Sequence, residues 1–287
     1  MDNKRMSQQI KLRNGRKLGY AEYGSPEGTA VFYCHGFPSS RLDWQLFNDN
    51  DMLTELNARI IAPDRPGYGL SDFMRHRKIT DWSKDVVALA DVLKIERFAV
   101  LGISRGGPYA AACAFGIRER LVKVGIVCGM GPSNAPGMID GVSWSIPGAP
   151  AIIRRAILML TSLGLRRGPD QFIAKTKEAI SELDGQLLDK PELANLFIEG
   201  MREAFRQGIS GANLDAALYA RPWGFALKNI AAEVHLWHGE QDKNVPISVG
   251  RYVADAIPNC QAAFLENEGH LTLPYFHMRE ILSALIG

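Results

Sequence analysis

Gly102-Ile103-Ser104-Arg105-Gly106 lies between the apolar run Phe98–Ile103 and the small-residue stretch Pro108–Phe115, and its reading decides the fold. The run before it is short and bounded like a buried strand, and the stretch after it carries a helical pattern. G-x-S-x-G in a strand–turn–helix context places the serine on a sharp turn at the carboxyl end of a sheet. Side chains at positions 102 and 106 would collide with the neighbouring strand and helix, so glycine is required at both. The Ser104 hydroxyl then projects near a helix N-terminus, whose unpaired N–H groups and positive partial charge suit a developing oxyanion. Five residues in this pattern can arise by chance, so the weight rests on context and on companion residues.

Outward from this turn, short apolar runs alternate with helical patterns. Gln8–Leu12 and Leu18–Tyr23 flank Asn14-Gly15, a hairpin signal. Strands are predicted at Ala30–Cys34, Arg59–Ala62, Leu121–Cys128, Glu233–Trp237 and Gln261–Leu265. Helices are predicted at Trp82–Leu93, Ile247–Ala256 and Pro274–Leu285. Continuous apolar strands alternating with helices imply a mostly parallel sheet covered on both faces, an α/β fold. The rhythm stops at the Gly/Pro-rich stretch Gly129–Pro150. Ile152–Leu165, Gln171–Leu183, Pro191–Arg206 and Ala212–Tyr219 then read as helices with no strand between them. The expected organisation is a core of residues 1–132 and 226–287 interrupted by a helical cap at 133–225.

A serine hydroxyl is a poor nucleophile unaided and needs a base, itself oriented by an acid. Of six histidines, His270 lies in Glu268-Gly269-His270, after the last predicted strand and before the last helix, where a base belongs. His235 and His238 lie in or at the end of a strand and read as structural; His277 falls in a helix and His76 in a charged loop. Asp242 follows the strand Glu233–Trp237 and precedes Val245-Pro246, the place for the acid, with Glu240 and Asp140 as weaker rivals. His35-Gly36-Phe37-Pro38 follows directly on Ala30–Cys34. A loop there supplies one oxyanion donor, assigned to the backbone N–H of Phe37 beside that of Arg105; Pro38 restricts Phe37 to an extended conformation.

Composition narrows the function classes. The chain has 287 residues, 46% hydrophobic and 22% charged, with 33 basic against 31 acidic residues, a net charge of +2. That is an ordinary globular balance and disfavours nucleic acid and anionic membrane as partners. The most basic stretch, Arg75-His76-Arg77-Lys78, reads as a solvated loop. Ala149–Leu165 is the most apolar segment, but it is too short and too charged to span a bilayer, so no membrane insertion is expected. The N-terminus lacks a signal-peptide pattern. Cys34, Cys113, Cys128 and Cys260 form no CxxC pair; they read as reduced thiols suited to the cytoplasm. No metal and no cofactor is expected, and the chain is expected to be a monomer or homodimer.

His35-Gly36, Gly102-x-Ser104-x-Gly106, Asp242 and His270, in the order Ser…Asp…His, resemble the α/β-hydrolase superfamily. Asp64-Arg65-Pro66-Gly67-Tyr68-Gly69-Leu70-Ser71-Asp72 resembles a D-x-x-G-x-G-x-S loop common in its lidded, single-domain bacterial members. The resemblance covers about residues 18–128 and 230–285. It implies an eight-stranded, mostly parallel sheet with a helical cap, and a serine esterase-like activity through an acyl-enzyme on Ser104. Ser104 argues against epoxide opening and dehalogenation, for which relatives carry a carboxylate nucleophile. Arg105 is unusual after the nucleophile and is expected to pair with Asp64 or Asp72.

The substrate is expected to be a small, mainly apolar ester. Among Met138, Trp144, Met159, Phe172, Phe197 and Phe205, the first two are the preferred pocket residues, with Leu271 and Leu273 beside the base. Cleavage of a C–C bond, thioester or lactone, or perhydrolysis, is open to the same triad. A ligand-binding, receptor-like protein with slow or no turnover, or a structural protein with a silent triad, is the alternative of another class.

Overall fold

The apolar runs pair edge to edge because both of their faces are covered. The computed structural model describes residues 4–47, 49–141 and 144–287. Its strands are β1 (Gln8–Lys11), β2 (Lys17–Gly24), β3 (Thr29–Cys34), β4 (Ala58–Pro63), β5 (Phe98–Ile103), β6 (Leu121–Val127), β7 (Val234–Gly239) and β8 (Cys260–Leu265). They form one eight-stranded sheet in the order β1-β2-β4-β3-β5-β6-β7-β8. β2 runs antiparallel to β1 and β4; every other pairing is parallel. This is the mostly parallel sheet that the alternating pattern predicts, with the eight strands that the family resemblance implies.

Side-chain alternation along the strands divides the core. Phe32, Cys34, Phe98 and Val100 face the layer of α2 (Trp82–Val92), α3 (Gly107–Gly116) and α9 (Ile247–Ala256). Val31, Tyr33, Ala99 and Leu101 face the layer of α1 (Asn50–Glu55) and α10 (Thr272–Ile286). β5 is buried along its whole length, as a central parallel strand must be. The chain leaves β3 toward β4 on one side and returns to β5 on the other, so the loops after β3 and β5 diverge at a crevice where such sheets bind ligands.

Between β6 and β7 lie α4 (Ala151–Arg167), α5 (Pro169–Ala179), α6 (Glu182–Leu187), α7 (Pro191–Ala204) and α8 (Ser210–Tyr219). The predicted helix Gln171–Leu183 is two helices. Ile180 is extended, and the Ser181 hydroxyl caps α6 by accepting the Asp184 N–H. Periodicity carried across this break because α5 and α6 both keep their apolar residues inward. The short helix α1 and a 3-10 turn at Arg41–Leu46 were not predicted; each is too short to show a period.

A buried charge cluster joins α8 to the sheet. Asp215 on α8 accepts from Arg65 Nε at 2.8 Å, from the Tyr68 hydroxyl at 2.9 Å, and from Arg77 and Tyr109. Arg77 is therefore buried, which corrects its reading as part of a solvated loop. Burial alone would raise the Asp215 carboxyl, but Arg77 and Arg65 hold it well below the ordinary carboxylate range. A second seam runs Asp64–Arg41–Glu203, with Arg41 Nη1 3.0 Å from Asp64 and 2.6 Å from Glu203 on α7. Asp64 thus pairs with Arg41, and Asp72 accepts the Lys17 N–H at 2.8 Å. This corrects their expected role as partners of Arg105, because the 3-10 turn puts Arg41 over Asp64 first.

Asp215→Asn keeps the volume but leaves Arg65 and Arg77 buried without their counter-charge. It is expected to cost about 3–5 kcal/mol of unfolding free energy, measured by denaturant titration; a loss below about 1 kcal/mol would refute this account of the seam.

Candidate active site

Ser104 sits where β5 turns into α3, with φ +56°, a left-handed value strained for a residue with a side chain. The turn exists because two glycines let the chains touch. A Cβ on Gly106 would stand 1.9 Å from the Cys34 carbonyl oxygen, and one on Gly102 would stand 2.5 Å from that of Gly106. The small side chains of α3 permit the same approach, since Ala110 Cβ would lie 2.8 Å from the Gly102 Cβ.

The structure brings Ser104, His270 and Asp242 together from three loops at the carboxyl end of the sheet. The Ser104 hydroxyl donates to His270 Nε2 at 2.8 Å. His270 Nδ1 donates to Asp242 Oδ2 at 2.7 Å. The other Asp242 oxygen accepts the Asn244 and Val245 N–H groups at 2.8 and 2.9 Å. Burial opposes charge on both partners, yet the pair prevails: Asp242 raises the His270 pKa above its ordinary value, and His270 lowers that of Asp242. The geometry lets the imidazole take a proton from Ser104 while Asp242 stabilises the cation. The rivals lie elsewhere: Glu240 pairs with Arg251 at 2.8 Å, and Asp140 is exposed.

Phe37 and Arg105 both line the cavity beside Ser104. The loop carrying Phe37 is held from two sides. Arg65 donates to the His35 and Gly36 carbonyls, the latter at 2.8 Å. Asp43 accepts the Gly36 N–H at 2.9 Å and the Tyr33 and Ser39 hydroxyls at 2.7 Å. The Arg105 guanidinium is buried 4.4 Å from the centre of the Phe37 ring, a cation–π contact, and burial pulls its pKa down to about 10.

The cavity measures about 400 Å³ and is mainly apolar, with Phe47, Ile146, Phe172, Phe197, Met201 and Leu271 among its walls. Leu271 and the α5 and α7 phenylalanines are where the sequence led one to look. Met138 and Trp144 are not among the lining residues. Met138 is fully buried in the core on the α9 side, and Trp144 packs on that same cluster, because the loop preceding α4 folds back on α9 before it reaches the cavity. Leu273 and Phe205 are core residues, and Met159 is exposed. Lys175 on α5 adds one exposed cation to the lining.

Sequence reasoning missed Asp43, Arg65, Asp184 and Asp215. Asp184, fully buried on α6, accepts the His270, Leu271 and Thr272 N–H groups at 2.9, 2.7 and 3.0 Å. Nothing local marks it, since its partners are 86–88 residues away in the chain. His238 was read as structural; it is buried, donates to the Val245 carbonyl at 2.8 Å, and lies 3.5 Å from Asp242. Among the described residues, Cys128, Asp242 and His270 have ligand atoms within 4.8 Å of one another, close enough to hold a cation. His270 and Asp242 are bonded to each other, and burial raises the Cys128 thiol well above its ordinary pKa, so this donor set fits a metal poorly.

Comparison with known proteins follows the same lines. The sequence model described as the alpha/beta hydrolase family matches residues 31–284. The chain is 26% identical over 279 residues to 2-hydroxy-6-oxononadienedioate/2-hydroxy-6-oxononatrienedioate hydrolase 1 of Pseudomonas putida, covering 93% of this chain and 91% of that one. It is 25% identical over 263 residues to the bifunctional esterase/perhydrolase DCH of Acinetobacter calcoaceticus, covering 87% and 88%. Two other curated relatives are matched over shorter stretches, of which the chain spans 44% and 35% of their length. A thermophilic esterase from Thermogutta terrifontis superposes with a TM-score of 0.69 at 21% identity, covering 97% of this chain and 96% of that one. No helix among the described residues is long and apolar enough to cross a membrane.

Gly106→Ala drives a methyl group into the Cys34 carbonyl. Thermal unfolding is expected to show a loss of roughly 1–3 kcal/mol from overpacking; unchanged stability would mean that the turn tolerates a side chain there.

Proposed function

Because the chain belongs to the alpha/beta hydrolase family, we propose that it is a serine hydrolase that cleaves ester-type bonds of a small, mainly apolar substrate. The observation that carries this reading is the unbroken relay from the Ser104 hydroxyl through His270 to Asp242, at 2.8 and 2.7 Å, opening on an apolar cavity. Ser104 attacks the carbonyl carbon as His270 Nε2 takes its proton. The backbone N–H groups of Phe37 and Arg105 receive the oxyanion. His270 returns the proton to the leaving alcohol, and water activated by the same imidazole releases the acid from the acyl-enzyme.

The helices of 133–225 act as the cap in this reading, since α5 and α7 supply Phe172, Phe197 and Met201 to the cavity. The fold is shared with esterases, and one relative matched over most of its length is named an esterase/perhydrolase. A second reading, C–C bond cleavage on the same triad, is favoured by another such relative, named a hydrolase of a hydroxy-oxo-dicarboxylate, a compound class with no ester bond to cut. The four free cysteines suit the reducing cytoplasm, where we place the protein.

Hydrolysis of p-nitrophenyl esters of increasing acyl length tests the reading. Ser104→Ala is expected to lower kcat/KM by on the order of 10⁴ or more. Equal activity in the two proteins would remove Ser104 from the reaction, and inactivity of the wild type on every ester would favour the C–C reading.

The base must be neutral to act, and Asp242 raises the His270 pKa. Activity should therefore fall as the pH drops through a value above the ordinary histidine pKa of about 6.5. An acid limb in kcat/KM well below that value would contradict the assignment of His270 as base.

A further inference from the structure

Asp184 is a fully buried carboxylate. Among the described residues no Lys, Arg or His forms an ion pair with it; its donors are three consecutive backbone N–H groups, 270–272, and the Ser181 hydroxyl at 2.7 Å. The three N–H groups lie where the chain enters α10: His270 precedes the helix, Leu271 is its N-cap residue and offers no side-chain hydrogen bond of its own, and Thr272 is its first residue. A helix start leaves such groups without intrahelical partners, and a carboxylate is the acceptor that best satisfies both them and the helix dipole. Here the capping carboxylate comes from another part of the chain, the inserted helices. The contact is tight: a Cβ on Gly269 would lie 2.5 Å from Asp184 Oδ2. The break between α5 and α6 serves the same contact, because Ser181 both caps α6 and donates to Asp184. Burying an unpaired carboxylate is costly, so a chain that keeps one draws some gain from it.

We infer that Asp184 is a positioning residue for His270: through the 270–272 backbone it holds the imidazole at the distance from Ser104 that proton transfer needs, so that the catalytic geometry is complete only when the cap is seated. This rests on the reading of Ser104, His270 and Asp242 as the catalytic groups. Asp184 touches neither substrate nor the imidazole ring atoms in this account. It fixes the backbone on which the ring is carried, and a displacement on the order of 1 Å there can cost about 100-fold in rate.

Electrostatics supplies a second signature. Asp242 follows β7, His238 is the penultimate residue of β7, Ser104 and Arg105 form the turn after β5, Cys128 follows β6, and Asp184 lies on α6; these are the groups around His270. Of them, Asp242 and Asp184 favour its cationic form and Arg105 opposes it. Removing the Asp184 charge therefore lowers the His270 pKa and moves the acid limb of kcat/KM to lower pH.

The experiment compares the wild type with Asp184→Asn and Asp184→Ala, using Glu182→Gln, an exposed charge on the same helix, as the control. Rates are normalised to sites titrated by a serine-directed phosphonate, so that loss of folded protein does not count as loss of catalysis. Asp184→Asn is expected to lower kcat per titrated site roughly 10–100-fold with KM changed less than about 3-fold, and to shift the acid limb downward; Glu182→Gln does neither. Amide hydrogen exchange at 270–272 and the NMR titration of the His270 ring, assigned with His270→Gln, read the same coupling without turnover. Exchange there should quicken at least about tenfold relative to β7, and the ring pKa should fall. Unchanged kcat per site, acid limb, exchange and ring pKa in a folded Asp184→Asn would overturn the inference, whatever happens to thermal stability. Should the wild type hydrolyse no ester, the esterase reading fails, while exchange and the ring titration still decide the role of Asp184.

Discussion

The close approach of α3 to β3 and β5 is the constraint on which the rest of this molecule depends. It requires Gly106 to sit against the Cys34 carbonyl and Gly102 to lie beneath α3, and it leaves Ser104 in a left-handed conformation at the tip of the turn. A strained residue persists only where its surroundings over-determine it. Here the surroundings are the deeply buried strand β5 and a helix that presents a small side chain, Ala110, toward Gly102. The same approach brings the loop after β3 beside Ser104, so one packing decision assembles both the hydroxyl and the backbone expected to receive the oxyanion.

Around that turn, the inserted helices contribute charge as well as cavity wall. Asp215 neutralises Arg65, whose guanidinium holds the His35 and Gly36 carbonyls. Asp184 holds the backbone that carries His270. Glu203 joins the Arg41–Asp64 pair at the edge of the same crevice. Three carboxylates from α6, α7 and α8 therefore reach the sheet side, each at a segment next to the candidate site. Buried ion pairs add little net stability over apolar packing, but breaking one strands a charge. Such seams fix where the inserted helices sit more sharply than the apolar contacts between Tyr68, Phe205 and their neighbours.

The His270–Asp242 pair works against its own burial. Each partner alone would be driven neutral, and together they favour the charged forms. That polarity suits a base which must carry a proton briefly in an apolar cavity. Arg105 lies close by, held over the Phe37 ring, and its charge opposes that of the imidazolium; the Asp242 and Asp184 carboxylates outweigh it.

The sequence by itself determined the α/β architecture, the turn at Ser104 and the positions of His270 and Asp242, because each is written locally. A strand's apolar run, a glycine pair two residues either side of a serine, and a polar loop after a strand are all legible within about ten residues. The interval without strands between β6 and β7 was legible for the same reason. Only the tertiary structure decided what surrounds these residues. Met138 and Trp144 lie in a loop whose composition suits a pocket, yet they pack on the α9 side of the core. Arg77 sits in a charged run that reads as solvated, yet Asp215, 138 residues away, buries it. Asp184 falls just past 171–183, a stretch that reads as one continuous helix, and its place is fixed by N–H groups at the start of a different helix. Such contacts join groups far apart in the chain, and their energy comes from desolvated charges and hydrogen bonds that exist only after the layers close. No local pattern records them, so the backbone turn and the residues at it were open to reading and the shape of the pocket was not.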